Sequence, residues 1–468
     1  MSSDSPRPRM GRVVEATDVT VSGMSSRRSH AVVLLLAASV ALQMTGFGII
    51  FPIFAKRLGE FGSGVGALGI MTMSFALAQL LVAPMMGAAA DRFGRKPVVL
   101  AALFGFALTN VGFLVASSTW AFIAVRAVEG GITAGLMPAT MGVVADIIPE
   151  NRRAQWVGIV MASLGVGFIF GPVLGGVLYD LWGYEAPFIV SAALGVVAFT
   201  AAALLVPETR TRVVRRREAL HQRRAAQTAA ERGPSMWASI PKPVYIFGML
   251  LVLDFTLSFA FTFIEPQMVF YFYDDLGWSP TRFGLIAGAY GLTMVLGQTV
   301  TGRASDRFGR KPMILIGFVL FGAFFVGIAF VRSFSLMILA AVSAGLGEAM
   351  IMPALSAFYL DITSAQHRSR VMGIKSSAAS MGGVAGPLIL AAVSGFMTPR
   401  SIFLSAGVVA IAATVVAAFV LREPQRAVDA AGDVEWEASE RRSLAAQTTL
   451  RGIVLSARIA RSARGETR

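Results

Sequence analysis

Five charged residues, Arg126, Glu129, Asp254, Glu265 and Glu348, stand inside long apolar stretches of this 468-residue chain. A charge at the centre of a membrane helix costs about 2.5–3.5 kcal/mol on insertion scales and tends to mark an ion or proton pathway. A carboxyl group in low-dielectric surroundings holds its proton more tightly than in water, so it can load and release one. Asp254 and Glu348 read as mid-membrane acids without a local partner, and are the first candidates for proton coupling. Arg126 and Glu129 are three apart and share a helix face, so they can neutralise each other. Glu265 reads as lying near the outer end of its span and ranks lower.

The elements that must position these groups are membrane helices. The chain is 55% hydrophobic and 15% charged, with mean hydropathy +0.67, whereas soluble domains carry about 25% charged residues. Its apolar runs exceed the ~18 residues needed to cross a bilayer. Spans are expected near 31–54, 67–89, 97–117, 120–146, 156–178, 187–206, 244–266, 283–302, 312–331, 335–361, 371–394 and 401–421. The expected organisation is a cytoplasmic N-terminal tail (1–30), a six-helix half (31–206), a basic cytoplasmic linker (207–243), a second six-helix half (244–421) and a cytoplasmic C-terminal tail (422–468). The fold class is an all-α polytopic membrane protein of twelve transmembrane helices in two six-helix repeats.

Composition excludes several chemistries. There is no Cys, and none of the three His, at 30, 221 and 367, stands at ligand spacing to another. A Cys-ligated metal site and a thiolate nucleophile are absent, and no metal or catalytic residue is assigned. The chain's net charge is +14, and its basic residues lie in tails and loops with an excess on one side of the membrane, which the positive-inside rule explains without nucleic acid. Both termini are therefore expected in the cytoplasm. The polar, Arg-bearing start has no signal-peptide pattern. The C-terminal tail could form an amphipathic helix on the inner leaflet.

DRFGRKP occurs at 91–97 and again at 306–312, a shift of 215. The same shift turns Gly87 into Gly302, MPA at 137–139 into MPA at 352–354, Asp146 into Asp361, Gly158 into Gly373, and GP at 171–172 into GP at 386–387. A six-span unit has been written twice in the same orientation, and such parallel repeats place a substrate site at their interface near the midplane. Gly94 and Gly309 permit backbone conformations closed to other residues. Asp91 can meet Arg95 in a charge-assisted hydrogen bond, and Asp306 and Arg310 repeat the arrangement. In the fifth span, Gly167, Gly171 and Gly175 recur every four residues and let a second backbone approach closely. Pro172 adds a bend. Phe255, Phe259 and Phe263 recur at the same interval beside Asp254, as candidate cavity lining.

These motifs resemble the major facilitator superfamily, and within it the drug:proton antiporters. GAAADRFGRK and GRASDRFGRK look like the family's loop motif, RAVEGG at 126–131 like its fourth-span Arg motif, and PETR at 207–210 like the usual end of its sixth span. Gly158, Gly167, Gly171, Pro172, Gly175 and Gly176 reproduce the fifth-span antiporter pattern. The resemblance implies that Asp91, Arg95 and Asp146 latch the two halves together on the cytoplasmic side. It also places spans one, four, seven and ten around a central cavity. Tetracycline-exporting relatives often carry an acid in the first span. Here ALQMTGFGIIFP offers Gln43 and Thr45, so Gln43 is a cavity-lining candidate and the proton site lies elsewhere.

The expected function is export of hydrophobic, often cationic, drugs in exchange for protons, by a monomer in the cell membrane. Its partners are the substrate, protons and lipid, with no cofactor, no nucleic acid and no enzymatic activity. No Walker-type motif is present, so a proton gradient rather than ATP drives it. A metabolite importer of the same fold, or a non-transporting membrane sensor or scaffold, are the alternatives.

Overall fold

A computed structural model describes residues 26–209, 241, 243–363 and 367–423. Among them are twelve helices long and apolar enough to cross a membrane. Inside a bilayer every backbone polar group must find a partner within its own segment, which leaves these runs little choice but helix. In chain order the first half holds α1 (Ser26–Glu60), α2 (Val65–Phe93), α3 (Arg95–Val115), α4 (Thr119–Thr133), α5 (Leu136–Ile147), α6 (Glu150–Trp182) and α7 (Glu185–Leu205). The second holds α8 (Val244–Phe270), α9 (Pro280–Phe308), α10 (Arg310–Ile328), α11 (Phe334–Asp361), α12 (Arg368–Val393) and α13 (Pro399–Val420). The fourth span is broken into α4 and α5. The break falls at Gly135, a poor helix residue, whereas the equivalent tenth span has Met350 there and α11 runs unbroken through Pro353.

Two boundaries differ from expectation in ways that matter. α1 begins at Ser26, so residues 26–30 are helical; Ser29 is buried and His30 stacks on Trp156 with ring centroids 4.5 Å apart. The seventh span does not end at 266. Pro266 is accommodated inside α8, and a π-helical turn, Tyr271–Asp275, carries the span to Gly277, whose φ is +64°. Most of the linker and of the C-terminal tail, including its proposed amphipathic helix, lies outside the described residues.

The heptapeptide loops are single residues. Gly94 alone separates α2 from α3, with φ +120°, and Gly309 separates α9 from α10, with φ +99°. At the other end of the molecule polar contacts tie the halves together. There the Tyr273 hydroxyl donates to the Pro52 carbonyl at 2.7 Å, with the Lys56 ammonium 4.9 Å from the Tyr273 ring centroid. The Asp180 carboxylate accepts from the Thr281 amide at 3.1 Å, in the first turn of α9, where a negative charge suits the helix dipole.

Candidate functional site

The antiporter pattern on α6 faces two ways. A Cβ at Gly167, Gly171 or Gly175 would collide with the α1 backbone at Met44–Thr45, Gly48 and Ile49 respectively. Gly176 packs instead on Pro280 and Thr281 of the second half, and the Pro172 carbonyl lies against Gly284 of α9. The repeat shift maps that last pair onto Gly69 of α2 and the Pro387 carbonyl of α12, which also touch. Each half therefore rests a glycine of its second span on the proline carbonyl of the other half's fifth span. Gly158 does not belong to this face. It is exposed with nothing within 4 Å of its would-be Cβ, because nine residues place it half a turn round from Gly167.

The loop motif builds a compact charge cluster in each half. Arg95 reaches Asp91 at 3.0 Å and Asp146 at 3.5 Å. Arg310 reaches Asp306 at 2.5 Å and Asp361 at 3.1 Å. Gly87 lies beside Pro138, and Gly302 beside Pro353. Arg95 joins Asp91 and Asp146 of its own half, and the Thr209 hydroxyl just beyond that half donates to Asp146 at 2.8 Å. Two further residues, unassigned by sequence, complete the clusters. Glu208 accepts from the amides of Arg95 at 3.0 Å and Lys96 at 3.3 Å, and Glu423 from those of Arg310 at 2.5 Å and Lys311 at 3.0 Å. Each carboxylate caps a helix N-terminus. The signal was available, since Glu208 and Glu423 are also 215 apart.

The intramembrane charges form a ladder. Arg126 and Glu129, 4% and 0% exposed, bond at 2.5 Å. Arg126 also lies 4.6, 4.9 and 4.2 Å from the ring centroids of Phe47, Phe54 and Phe75, an aromatic enclosure suited to a desolvated cation. Arg126 Nε and Glu129 Oε1 remain buried without a partner. Glu265, from the other half, is within electrostatic reach of Arg126. It is not at the outer end as expected. With the span reaching 275, Glu265 lies about 8 Å from its middle on one side, and Asp254 about 8 Å on the other.

Asp254 is 3% exposed and, contrary to expectation, is paired. Its Oδ1 lies 3.6 Å from the Lys375 ammonium on α12. The buried Tyr359 hydroxyl of α11 faces the same carboxylate. Lys375 escaped the sequence reading because it stands just inside the expected start of its span and looks like a loop cation. Glu348 is half-buried, with neither hydrogen bond nor ion pair among the described residues. On α11, Gly345 faces α9 and Gly347 faces α10. The helical turn sends Glu348 to the side opposite exposed Leu346, away from lipid.

Of the cavity candidates, Gln43 is buried in α1 with Oε1 unpartnered. Phe255, Phe259 and Phe263 form a continuous stack, with centroids 5.7 and 5.5 Å apart. Gly382 and Gly386 of α12 press on the α8 backbone at the same level. Among the described residues no group of His, Cys, Asp and Glu could hold a metal ion.

The sequence profile described as Major Facilitator Superfamily matches residues 35–273 and 250–460. The chain is 30% identical over 369 residues to the class G tetracycline resistance protein of Vibrio anguillarum, covering 77% of this chain and 89% of that protein. It is 30% identical over 376 residues to the class C tetracycline resistance protein of Escherichia coli, covering 78% and 90%. It is 25% identical to the quinolone resistance protein NorA of Staphylococcus aureus, covering 80% and 93%. Among solved structures, a bacterial homologue of the human lysosomal transporter Spinster, inward-facing and occupied, superposes with a TM-score of 0.70 at 16% identity, covering 85% of this chain and 98% of that one. The human organic anion transporter MFSD10 superposes at 0.59 with 23% identity, covering 83% and 99%.

Proposed function

Because the chain belongs to the Major Facilitator Superfamily, and is thus a multi-pass membrane transporter and not an enzyme, we propose that it exports hydrophobic cationic drugs in exchange for protons. The observation that carries this reading is the ladder of acids across the second half: Glu265, Glu348 and Asp254 at three depths, with Glu348 unpaired and turned from lipid. A scaffold gains nothing from an unpaired acid at that depth, whereas a carrier of cations needs one. The likeness to tetracycline and quinolone resistance proteins favours drugs over metabolites.

In this reading the heptapeptide loops and both termini face the cytoplasm, and closure at the other end makes the conformation inward-facing. Glu348 draws a cation in, and Asp254 is where cation and proton displace one another. Burial beside the Phe255–Phe259–Phe263 stack supplies affinity for an apolar body without fixing its shape. The test is proton release from proteoliposomes on adding a transported cationic dye. Asp254→Asn and Glu348→Gln are each expected to abolish it, while substrate binding partly survives in Asp254→Asn. Wild-type release rates in both variants would sink the assignment and move the route to Glu129 with Arg126.

A further inference from the structure

The Asp254–Lys375 contact is an unusual ion pair. At 3.6 Å it is longer than a charge-assisted hydrogen bond. The pair is nevertheless enclosed, with side-chain exposures of 3% and 12%. The other carboxylate oxygen faces only the Tyr359 hydroxyl. A structural ion pair retained for rigidity would close to a short, charge-assisted contact. The arrangement instead holds one enclosed negative charge with its ammonium at a distance.

Resting on the cation–proton exchange proposed above, we infer that Lys375 carries the exchanged proton at this site. A cationic substrate takes the place of the ammonium beside the Asp254 carboxylate. Lys375, deprived of its counter-ion in a low-dielectric setting, releases its proton. The Nζ–H bond breaks, the electron pair stays on Nζ, and the proton passes to water on the heptapeptide side. Asp254 remains a carboxylate throughout. When the substrate leaves, Lys375 takes up a proton and returns to Asp254.

The surroundings leave this pair to itself. From α8 the facing ionisable group is Asp254, and from α11 it is Tyr359. Glu348 lies eleven residues, about 16 Å, further along α11. The charged residues of α2, which packs antiparallel against α12, are Asp91 and Arg92 at its heptapeptide end, toward the first turn of α12 and beyond Lys375. On α12 itself the other charges, Arg368 and Arg370, are in its first turn. The choice of Lys is also specific. An ammonium can be deprotonated in a protein, whereas a guanidinium stays charged.

The experiment measures two quantities on purified protein in weakly buffered detergent: ethidium bound, and protons released, read with a pH indicator. Wild type is expected to release about one proton per ethidium bound at this site. Lys375→Ala is expected to bind ethidium at least as well and release none. Lys375→Arg keeps a cation that cannot deprotonate, and is expected to bind about tenfold more weakly, also without release. Proton release from either variant in the wild-type ratio overturns the inference and returns the proton to a carboxylate. Absence of release from wild type on binding ethidium, tetraphenylphosphonium and rhodamine 6G overturns the underlying exchange as well.

Discussion

At the scale of residues, the two charge pairs do opposite jobs. Arg126–Glu129 is short, fully enclosed and boxed by three aromatic rings. Removing one member of such a pair leaves an uncompensated buried charge, at about 3–5 kcal/mol. Glu129→Gln is therefore expected to lower the thermal unfolding midpoint in detergent clearly, and a midpoint equal to wild type would show that the pair is not enclosed. Glu348→Gln removes an acid with no partner among the described residues, so its midpoint should hold or rise while proton release is lost. The five charges in the apolar runs were legible from the sequence, since each interrupts a long hydrophobic stretch. The pairing of Asp254 was not, because its partner lies 121 positions away on another span. The depth of Glu265 was misread at Pro266, which looks like a helix end to local rules but is accommodated inside a membrane helix.

At the scale of elements, the repeat shift organises almost every contact that matters. Gly69 and Gly284 rest on Pro387 and Pro172, and Glu208 and Glu423 cap α3 and α10. A shift read from one heptapeptide thus places glycines, prolines and caps alike. What it could not reveal was which face of α6 each glycine serves, since that depends on how α1 and α9 lie. Gly171→Leu is expected to abolish transport, because a side chain there meets the Gly48 backbone. Gly158→Ala is expected to transport normally, and a loss comparable to Gly171→Leu would place Gly158 in a contact that forms in another state. Glu208→Gln removes the charge from a helix cap, an effect of about 1 kcal/mol. It should shift the midpoint by an amount similar to Glu423→Gln, as the caps are equivalent.

At the scale of the whole molecule, the halves share a scaffold but not a chemistry. The shift maps Arg126 and Glu129 onto Ala341 and Ala344, and Asp254 and Lys375 onto Ser39 and Val160. Duplication fixed the fulcrum, and the charges differ between the copies on either side of it. The far-end closure is directly accessible to chemistry, since the chain has no Cys. With cysteines introduced at Asp180 and Thr281, a bifunctional thiol reagent is expected to hold that end shut and stop transport, with recovery on cleaving the linker. Undiminished transport while cross-linked would mean that these ends do not separate during the cycle. The Asp254–Lys375 pair bears, finally, on membrane voltage. One carboxylate accompanied by one cation, whether ammonium or guest, has the same net charge in both loaded states. Swapping a monovalent guest for one proton then moves no net charge across the bilayer. Transport should follow the pH difference and stay indifferent to a potassium diffusion potential imposed with valinomycin.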